Sequence, residues 1–285
     1  MSILKQIIGV DISMNTFNAR FGTIDSTQES KLSSDKSFKN QLSGFKQVLA
    51  WALKSRICAD IPLVFVMEAT GVYYQQLAYF LFQNNCPVAV VLPNKVKNYT
   101  KSLTSKSKTD PLDSAAITRF GLERQLPLWT PPSDTLKALH ALTREYHALK
   151  VTLTEIKNQR HALRASFEPL VSTLKRKQQT ITLLEKQISH IEQELHELVE
   201  SDNSFCERVE NICTAKGVGF ITVVSVLAET QCFKLVTKQK QLASYAGYDV
   251  VYNDSGMKKG KTSISKKGNK FLRHAVFMPA LCRAA

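Results

Sequence analysis

The sequence has little that would cross-link it or hold it in a membrane. Its six cysteines form no Cys-x-x-Cys pair and have no matching histidine spacing, which argues against a zinc site and a disulfide framework. No run of about 18 uninterrupted apolar residues occurs, so a membrane-spanning helix is excluded on length. The start lacks a cleavage-site pattern, and we expect a cytoplasmic protein with reduced thiols.

Acidic residues are also in short supply. The 285 residues include 38 Lys and Arg but only 24 Asp and Glu, which gives a formal net charge of +14. Such a surplus predicts attraction to polyanions, and nucleic acid is the commonest of these because each neutralised phosphate releases counterions. An anionic membrane surface, or no polyanion partner at all, are the alternatives that charge alone leaves open.

The pattern of apolar residues divides the chain into three regions. In residues 1–126 short apolar runs alternate with amphipathic helical stretches, which predicts an α/β domain with a mixed sheet and helices on its faces. Three prolines within 127–132 then interrupt the pattern. The expected strands are Ile7–Val10, Thr16–Ile24, Leu63–Met67 and Val88–Leu92, and the expected helices are Gln41–Ser55, Val72–Asn84 and Pro111–Arg124.

Residues 127–203, a linker and two helices, follow a helical period. Apolar residues recur at intervals of three and four from Leu136 to Phe167 and again from Ile181 to Leu198, flanked by Lys, Glu and Gln. This predicts two long helices with coiled-coil seams, which either fold back on each other or pair between protomers. In either case the seam predicts structure and not chemistry.

Residues 204–285 are predicted to form a mainly helical C-terminal domain. The region opens with a helix, the segment Lys216-Gly217-Val218-Gly219 and a second helix, which is similar to a helix-hairpin-helix. In that motif the glycines let backbone amides approach a DNA phosphate at a helix N-terminus. An ordinary connection between two helices is the alternative.

Four carboxylates are placed differently from the other acids, most of which sit on polar helical faces. Asp11 and Glu68 each end an apolar strand, and Asp110 and Asp113 lie three residues apart in the first turn of a predicted helix. A carboxylate at the end of a buried strand is costly without a positive partner, which a divalent cation provides. Together these acids could hold Mg²⁺ (or Mn²⁺) for phosphodiester cleavage. Alternatively, Asp110 caps the helix, Asp113 favours its dipole and Asp11 is a turn residue.

The segments that carry these acids resemble a known family. The insertion-sequence one-ten type transposases and the related Piv-like DNA invertases have an Asp-Glu-Asp-Asp signature, and it is matched in order by Gly9–Ser13, Met67–Gly71 and Ser107–Asp113. The resemblance implies a ribonuclease-H-like (RuvC-like) catalytic domain in which the four acids bind the metal ion.

The C-terminal region extends the resemblance over nearly the whole chain. Residues 242–248, 254–256 and 264–273 are similar to the family's separate transposase domain, which implies that Ser255 attacks DNA and forms a phosphoserine link. A serine hydroxyl needs a base or a metal for this, and no histidine lies beside Ser255, so the carboxylate site is the expected source of activation. Val250 and Asp254 depart from the family pattern and the chain ends sooner than is usual, so a truncated or degenerate copy is an open alternative.

Basic residues flank the expected chemistry. From Ser255 to Ala285 there are eight Lys or Arg and no acid, which suits a phosphate backbone, with a flexible loop and a solvated lysine run as the alternative. A second basic stretch precedes Asp110 and either brings a backbone to the metal site or is a mobile solvated loop. The expected nucleic-acid-binding residues are Lys95, Lys97, Lys101, Lys106, Lys108, Lys216, Gly217, Gly219, Lys258, Lys259, Lys261, Lys266, Lys267, Lys270 and Arg273.

The predicted function is that of a DNA transposase or site-specific recombinase in a prokaryotic nucleoid, which cuts and rejoins strands through a serine–DNA intermediate. The resemblance further implies a structured guide RNA encoded by the element, and the joining of two duplexes implies a homo-oligomer. Two other functions stay open. One is a RuvC-like nuclease that hydrolyses DNA with water, and the other is a non-catalytic nucleic-acid-binding remnant of a decayed transposase.

Overall fold

The described residues form two compact units. The structure, a computed structural model, describes residues 2–102, 110–253 and 260–284, without the side chains of residues 110–112, 283 and 284. The units span Met1–Pro131 and Pro132–Ala285, so the division falls inside the proline-rich segment 127–132. The two long helices and the C-terminal region share the second unit.

A mixed sheet forms the centre of the first unit. Its described strands are β1 (Ile3–Ile12), β2 (Thr16–Asp25), β3 (Ser30–Leu32), β4 (Lys36–Lys39), β5 (Leu63–Glu68) and β6 (Val88–Val91). The order is β3-β2-β1-β5-β6, with β4 also paired to β2. β2 is antiparallel to β1, β3 and β4, whereas β1, β5 and β6 run parallel to one another.

Helices cover both faces of this sheet. Consecutive strand residues point to opposite faces, so Ile8 belongs to one apolar cluster and Ile7 to another. Helices α1 (Leu42–Ser55) and α2 (Gln75–Gln83) pack on the first face, and α3 (Pro93–Ser102) and α4 (Asp110–Glu123) on the second. Antiparallel strands continued by parallel ones, between helix layers, confirm the predicted α/β, ribonuclease-H-like fold class.

Three elements of this unit differ from the prediction. The strands β3 and β4 are short and mostly exposed, so they lack the apolar run that would have marked them. Residues 93–102, for which a mobile loop was one expectation, form α3 instead. Val96 and Tyr99 explain the helix, because they lie three residues apart and are buried together while the lysines of α3 are exposed.

The second unit is mainly helical, as predicted. Its described elements are α5 (Asp134–Ala165), α6 (Val171–Glu200), α7 (Asn203–Cys213), α8 (Phe220–Thr230), α9 (Gln239–Ala246), the two-stranded pair β7 (Val250–Val251) and β8 (Ser263–Ile264), and α10 (Lys270–Ala284). The Ser133 side chain begins α5 by accepting a hydrogen bond from the Leu136 amide. None of the helices described is long and apolar enough to cross a bilayer.

The apolar seam of the long helices is used within the chain. α6 buries one stripe spaced by three and four residues, namely Ile181, Leu184, Ile188, Ile191, Leu195 and Val199. Part of this stripe packs with Leu153 of α5, and part with α7 and α8. The sequence left open whether the seam packs within one chain or between protomers. In the structure α6 folds back on α5, and residues of the same chain cover the seam.

We expect Leu195→Ala to lower the free energy of unfolding by about 2–5 kcal/mol, because the side chain is fully buried and its removal leaves a cavity. Leu183→Ala on the same helix is the matched control, since Leu183 is 56% exposed. Urea titration followed by circular dichroism measures both. Equal losses in the two variants would contradict the described packing of α6.

Candidate active site

Asp11 and Glu68 lie level with each other at the carboxyl ends of two neighbouring strands. β1 and β5 pair in parallel, and their last registered pair is Val10 opposite Met67. The acid is the next residue on each strand. Because paired strands are about 4.8 Å apart, the two acids are close neighbours at one edge of the sheet.

Both acids project toward the face that carries α3 and α4. Val10 and Met67 are fully buried in the cluster beneath α1 and α2, and side chains alternate along a strand. The following residues, Asp11 and Glu68, therefore point to the opposite face, where both are half-buried. The Thr70 hydroxyl donates a hydrogen bond to Oε1 of Glu68 at 3.1 Å.

Helix α4 crosses this face in direct contact with β1. A Cβ built on Gly9 would lie 2.2 Å from Oγ1 and 2.5 Å from the backbone nitrogen of Thr118, so no side chain fits there. One turn further along α4, a Cβ on Gly121 would lie 3.0 Å from the Ile7 side chain. Residue numbers rise along α4, from Thr118 to Gly121, while those of the β1 residues they contact fall from Gly9 to Ile7. The helix α4 therefore runs antiparallel to β1.

This direction brings the start of α4 to the edge where the strands end. The four residues from Thr118 back to Ser114 span about 6 Å of helix. The two residues from Gly9 to Asp11 span about 6.6 Å of strand. Asp113, which is half-buried, therefore lies in the turn level with Asp11, and α4 begins at Asp110, whose side chain lies outside the described residues.

A fifth acid, Asp35, holds this end of α4 and was missed by the sequence analysis. The fully buried Ser114 donates a hydrogen bond of 2.5 Å to Oδ1 of Asp35, and Nε of Arg20 lies 3.7 Å from the same oxygen. Arg20 is on β2, opposite Gly9. Asp35 precedes a short edge strand in a polar segment, so no periodic pattern marked it.

The chemistry of the strand-end acids fits a divalent cation. Carboxylate oxygens are the ligands that Mg²⁺ and Mn²⁺ prefer. Two half-buried carboxylates on neighbouring strands also repel each other unless a positive charge accompanies them. Among the side chains that the structure describes, no group of three acidic, histidine or cysteine residues could hold a metal ion, and the Asp110 side chain is not part of that set.

The predicted nucleophile belongs to the connection between β7 and β8. These strands pair antiparallel, with Val250 opposite Ile264, so Ser255 lies between two paired strands in sequence. Ser255, Lys258 and Lys259 themselves lie outside the described residues, as do Lys106 and Lys108. The strand pair was not predicted, because two residues in each strand are too few to give an alternation signal.

Close backbone contacts anchor this strand pair to α9 and α10. The amide of Ser265 donates to the Asp249 carbonyl at 2.8 Å, and the Asn269 amide donates to the Tyr245 carbonyl at 2.7 Å. Gly247 ends α9 with a φ of +77°, a conformation that favours glycine. A Cβ on Gly268 would lie 2.5 Å from the Gly247 amide nitrogen, so both glycines are needed for the approach.

A buried carboxylate holds the start of α10 from the other side. Glu229 of α8 is 4% exposed, and Arg144 of α5 donates two hydrogen bonds to it, at 2.9 and 3.1 Å. Asn269 also donates to Glu229, while its own Oδ1 accepts from the first amides of α10. Burial disfavours the charge of Glu229, but hydrogen bonds from His140, Arg144 and Asn269 outweigh it and lower its pKa to about 2.

The lysines of α3 lie near the edge that carries the acids. Glu68 is registered opposite Val91 at the end of β6, and α3 begins two residues later at Pro93. Lys95, Lys97 and Lys101 are exposed on this helix.

The glycine pair before α8 shows a packing role for one member. Gly217 has a φ of +82°, and a Cβ there would lie 2.8 Å from Cβ of Cys282 on α10. Nothing lies within 4 Å of a Cβ built on Gly219, the N-cap residue that precedes α8. Lys216 is exposed beside them. The close approach at Gly217 favours the structural alternative for that residue.

The described basic residues of the C-terminal stretch fall into two kinds. Lys261, Lys266, Lys267 and Lys270 are exposed. Arg273 is half-buried and donates a hydrogen bond of 2.7 Å to the Ala246 carbonyl, so its guanidinium already has a structural partner.

Comparison with known proteins identifies the family of this chain. Residues 8–168 match the family model DEDD_Tnp_IS110, described as a transposase, and residues 209–285 match the model described as the transposase IS116/IS110/IS902 family. The chain therefore belongs to the IS110-type transposases, which are DNA recombination enzymes.

Individual proteins are also similar. The pilin gene-inverting proteins of Moraxella lacunata and Moraxella bovis are each 29% identical over 278 residues, which is 97% of this chain and 82% of theirs. Among solved structures, Thermus thermophilus RuvC is 12% identical with a TM-score of 0.32, over 44% of this chain and 99% of RuvC. RuvC of T. thermophilus in complex with a Holliday junction substrate is 15% identical, with a TM-score of 0.31 over the same shares.

We expect Gly9→Ala to lower the free energy of unfolding by about 2 kcal/mol or more, because the new methyl group would overlap Thr118 and force α4 off β1. DNA strand cleavage should fall with it, since α4 carries two of the four acids. Gly219→Ala, where the methyl group meets open space, is the control for stability alone and should cost at most about 1 kcal/mol. Urea unfolding of both variants and a cleavage assay of Gly9→Ala test this prediction.

We expect Glu229→Gln to lower the free energy of unfolding near neutral pH by about 2–3 kcal/mol, because Arg144 loses its buried carboxylate partner. The loss is kept to this size because the Arg144 side chain is 43% exposed and water can solvate part of its charge. The folded pKa of about 2 lies below the ordinary value of 4.5, so the wild-type stabilisation is present above about pH 4.5 and is lost as the pH falls toward 2.

Urea titrations near pH 7 and near pH 3 measure this effect. The difference between wild type and Glu229→Gln should shrink at the lower pH. Glu194→Gln, at an exposed position of α6, serves as the control. A difference that stays constant with pH would show that Glu229 is not ionised in the folded protein.

Proposed function

We propose that this protein cuts DNA with Ser255 as nucleophile and rejoins it through a phosphoserine intermediate, assisted by a divalent cation at Asp11, Glu68, Asp110 and Asp113. One observation carries the proposal. The register of β1 with β5 sets Asp11 beside Glu68, at the edge where α4 begins. Family membership supports DNA as the substrate.

The reaction conserves phosphodiester bonds. The Ser255 oxygen attacks a backbone phosphorus and gives its proton to a base, while the bond from phosphorus to one strand end breaks. That strand end leaves as a hydroxyl with the returned proton. Rejoining is the reverse, in which the hydroxyl of a second strand attacks the phosphoserine and frees the serine. When bound, Mg²⁺ or Mn²⁺ would favour the attacking alkoxide and stabilise the leaving oxygen.

Exposed lysines give this chemistry a means of holding DNA. Lys95, Lys97 and Lys101 of α3 follow a strand that ends beside Glu68. Lys261 precedes β8, and Lys266 and Lys267 follow it; all three come after Ser255 in the sequence. Such residues fix a backbone in position without reading its sequence.

The proposal includes two partners of the chain. Recombination joins two duplexes, so we propose a homo-oligomer that supplies several active sites. We also propose a structured guide RNA encoded by the element, which the surplus of positive charge would accommodate.

We expect Ser255→Ala to abolish a covalent protein–DNA species and to lower strand cleavage roughly a thousandfold or more, because the nucleophile is gone. Asp11→Ala should lower cleavage comparably and leave DNA binding intact. Ser263→Ala and Asp60→Ala, both at exposed positions, are the matched controls. Denaturing gels of labelled element ends, incubated with Mg²⁺ with and without RNA transcribed from the element, detect protein-linked strands.

The same experiment distinguishes the other functions. Cleavage by Ser255→Ala at the wild-type rate, with no linked species in either protein, would indicate hydrolysis by water. An Asp11→Ala protein that differs from wild type in nothing measurable would indicate a non-catalytic nucleic-acid-binding protein.

A further inference from the structure

A cavity of about 210 Å³ lies within the second unit, between α5, α8 and α10, and has no part in the chemistry proposed above. Its rim is polar and accessible. Arg144 and Lys150 of α5 and His274 of α10 are exposed, and Thr222 and Ser225 of α8 are half-buried. Such a concave site with convergent polar groups is suited to a ligand.

Cationic and imidazole groups converge on this cavity. The ring centres of His147 and His274 are 4.3 Å apart, and the two ring planes are inclined at 67° to each other. The guanidinium of Arg144 and the ammonium of Lys270 lie over the ring of Phe271, at 4.5 and 5.1 Å from its centre. These contacts hold the side chains in place, so less conformational entropy is lost when an anion binds.

The acids near the cavity are already committed to other groups. Glu229 receives hydrogen bonds from Arg144 and Asn269, and Glu192 of α6 interacts with the Tyr146 hydroxyl. Over the described part of the chain, neither Lys150 nor Lys270 takes part in an ion pair. The cavity therefore has positive charge that no carboxylate of its own walls balances.

The imidazole pair is poised to respond to an anion. Burial of His147, together with the neighbouring His274 and Lys270, lowers the pKa of His147. Protonation is thus opposed in the free protein, and a negative ligand beside the two rings would favour it. The groups that face the pair are Arg144 and Lys150 from α5, Glu229 from α8 and Lys270 from α10.

The cavity continues the basic stretch beside the strand pair. Lys270 and His274 are one helical turn apart on α10, so they share a face. The exposed Lys266 and Lys267 precede them. A DNA strand that contacts these lysines and continues along α10 would reach the cavity.

We propose that this cavity binds a backbone phosphate of DNA, held by Lys150 and by the His147–His274 pair, and that binding adds a proton to His147. The proposal rests on DNA as the substrate but not on the serine chemistry. Binding is therefore measured in EDTA with the full chain, where cleavage plays no part. Its failure would leave the test on Ser255 unaffected.

We expect Lys150→Gln to weaken binding of a labelled DNA duplex about tenfold and to reduce the slope of log affinity against log salt by about 1, the loss of one phosphate contact. Lys157→Gln is the charge-matched control on the same helix, since Lys157 pairs with Glu185 at 2.8 Å outside the cavity. A structural role for Lys150 would change the melting temperature without changing that slope.

We expect the affinity of the wild type for the duplex to rise about tenfold between about pH 8 and about pH 6 at fixed ionic strength, because binding takes up a proton. The double variant His147→Gln, His274→Gln should lose this dependence. His161→Gln, exposed at the far end of α5, should keep it. Melting curves confirm folding, and Lys150→Gln tests the site independently if the double variant does not fold.

Two outcomes would overturn the proposal. In the first, Lys150→Gln and the double histidine variant bind DNA with the salt slope and pH dependence of Lys157→Gln and His161→Gln. In the second, the variants lose affinity for element-derived RNA but not for the duplex, which would assign the cavity to a different nucleic acid.

Discussion

The contact between α4 and β1 at Gly9 is the constraint on which the carboxylate edge depends. Thr118 occupies the space where any other residue at position 9 would place its side chain. The single proton of its hydroxyl is shared between the carbonyls of Ser114, at 2.7 Å, and Arg20, at 3.3 Å. A helix held this close, and antiparallel to the strand, must begin where β1 and β5 end. The start of α4 and the ends of the two strands that carry Asp11 and Glu68 therefore lie at one edge of the sheet.

The second unit positions its basic surface by charge and not by close packing alone. Glu229 joins Arg144 of α5 to Asn269 at the start of α10, and Asn269 also contacts Tyr245 of α9. A buried ion pair contributes little net stability compared with well-packed apolar residues. It does fix direction, because a bidentate guanidinium and an amide accept few other geometries. The segment that leads from the strand pair into α10 is thereby held in one orientation.

The sequence predicted the strand-end acids, because an apolar run followed by a carboxylate is a local signal that Asp11 and Glu68 both give. It could not predict Asp35, whose partner Ser114 is 79 residues away along the chain. The helix α3 was not predicted, because it is rich in lysine and only Val96 and Tyr99 are buried, which is too few apolar residues to give a helical period. The apolar seam from Ile181 to Leu198 was clear, but its partner was not. A seam of that kind fits either the same chain or another copy, and the sequence left both open. In the structure part of the seam packs on α5 of the same chain.

The pairing of β1 with β5 has a consequence for folding accuracy. Side chains alternate with a period of two, so a slip of one residue would turn Asp11 into the layer occupied by Ile8 and Val10. A carboxylate there would lose its water without gaining a partner, which is strongly unfavourable. The residues that we propose as ligands of a cation thus also penalise a misaligned sheet. A shift in the register of β1 against β5 would therefore remove the carboxylates from the edge of the sheet. The cost of burying them makes that shifted register less stable than the native one.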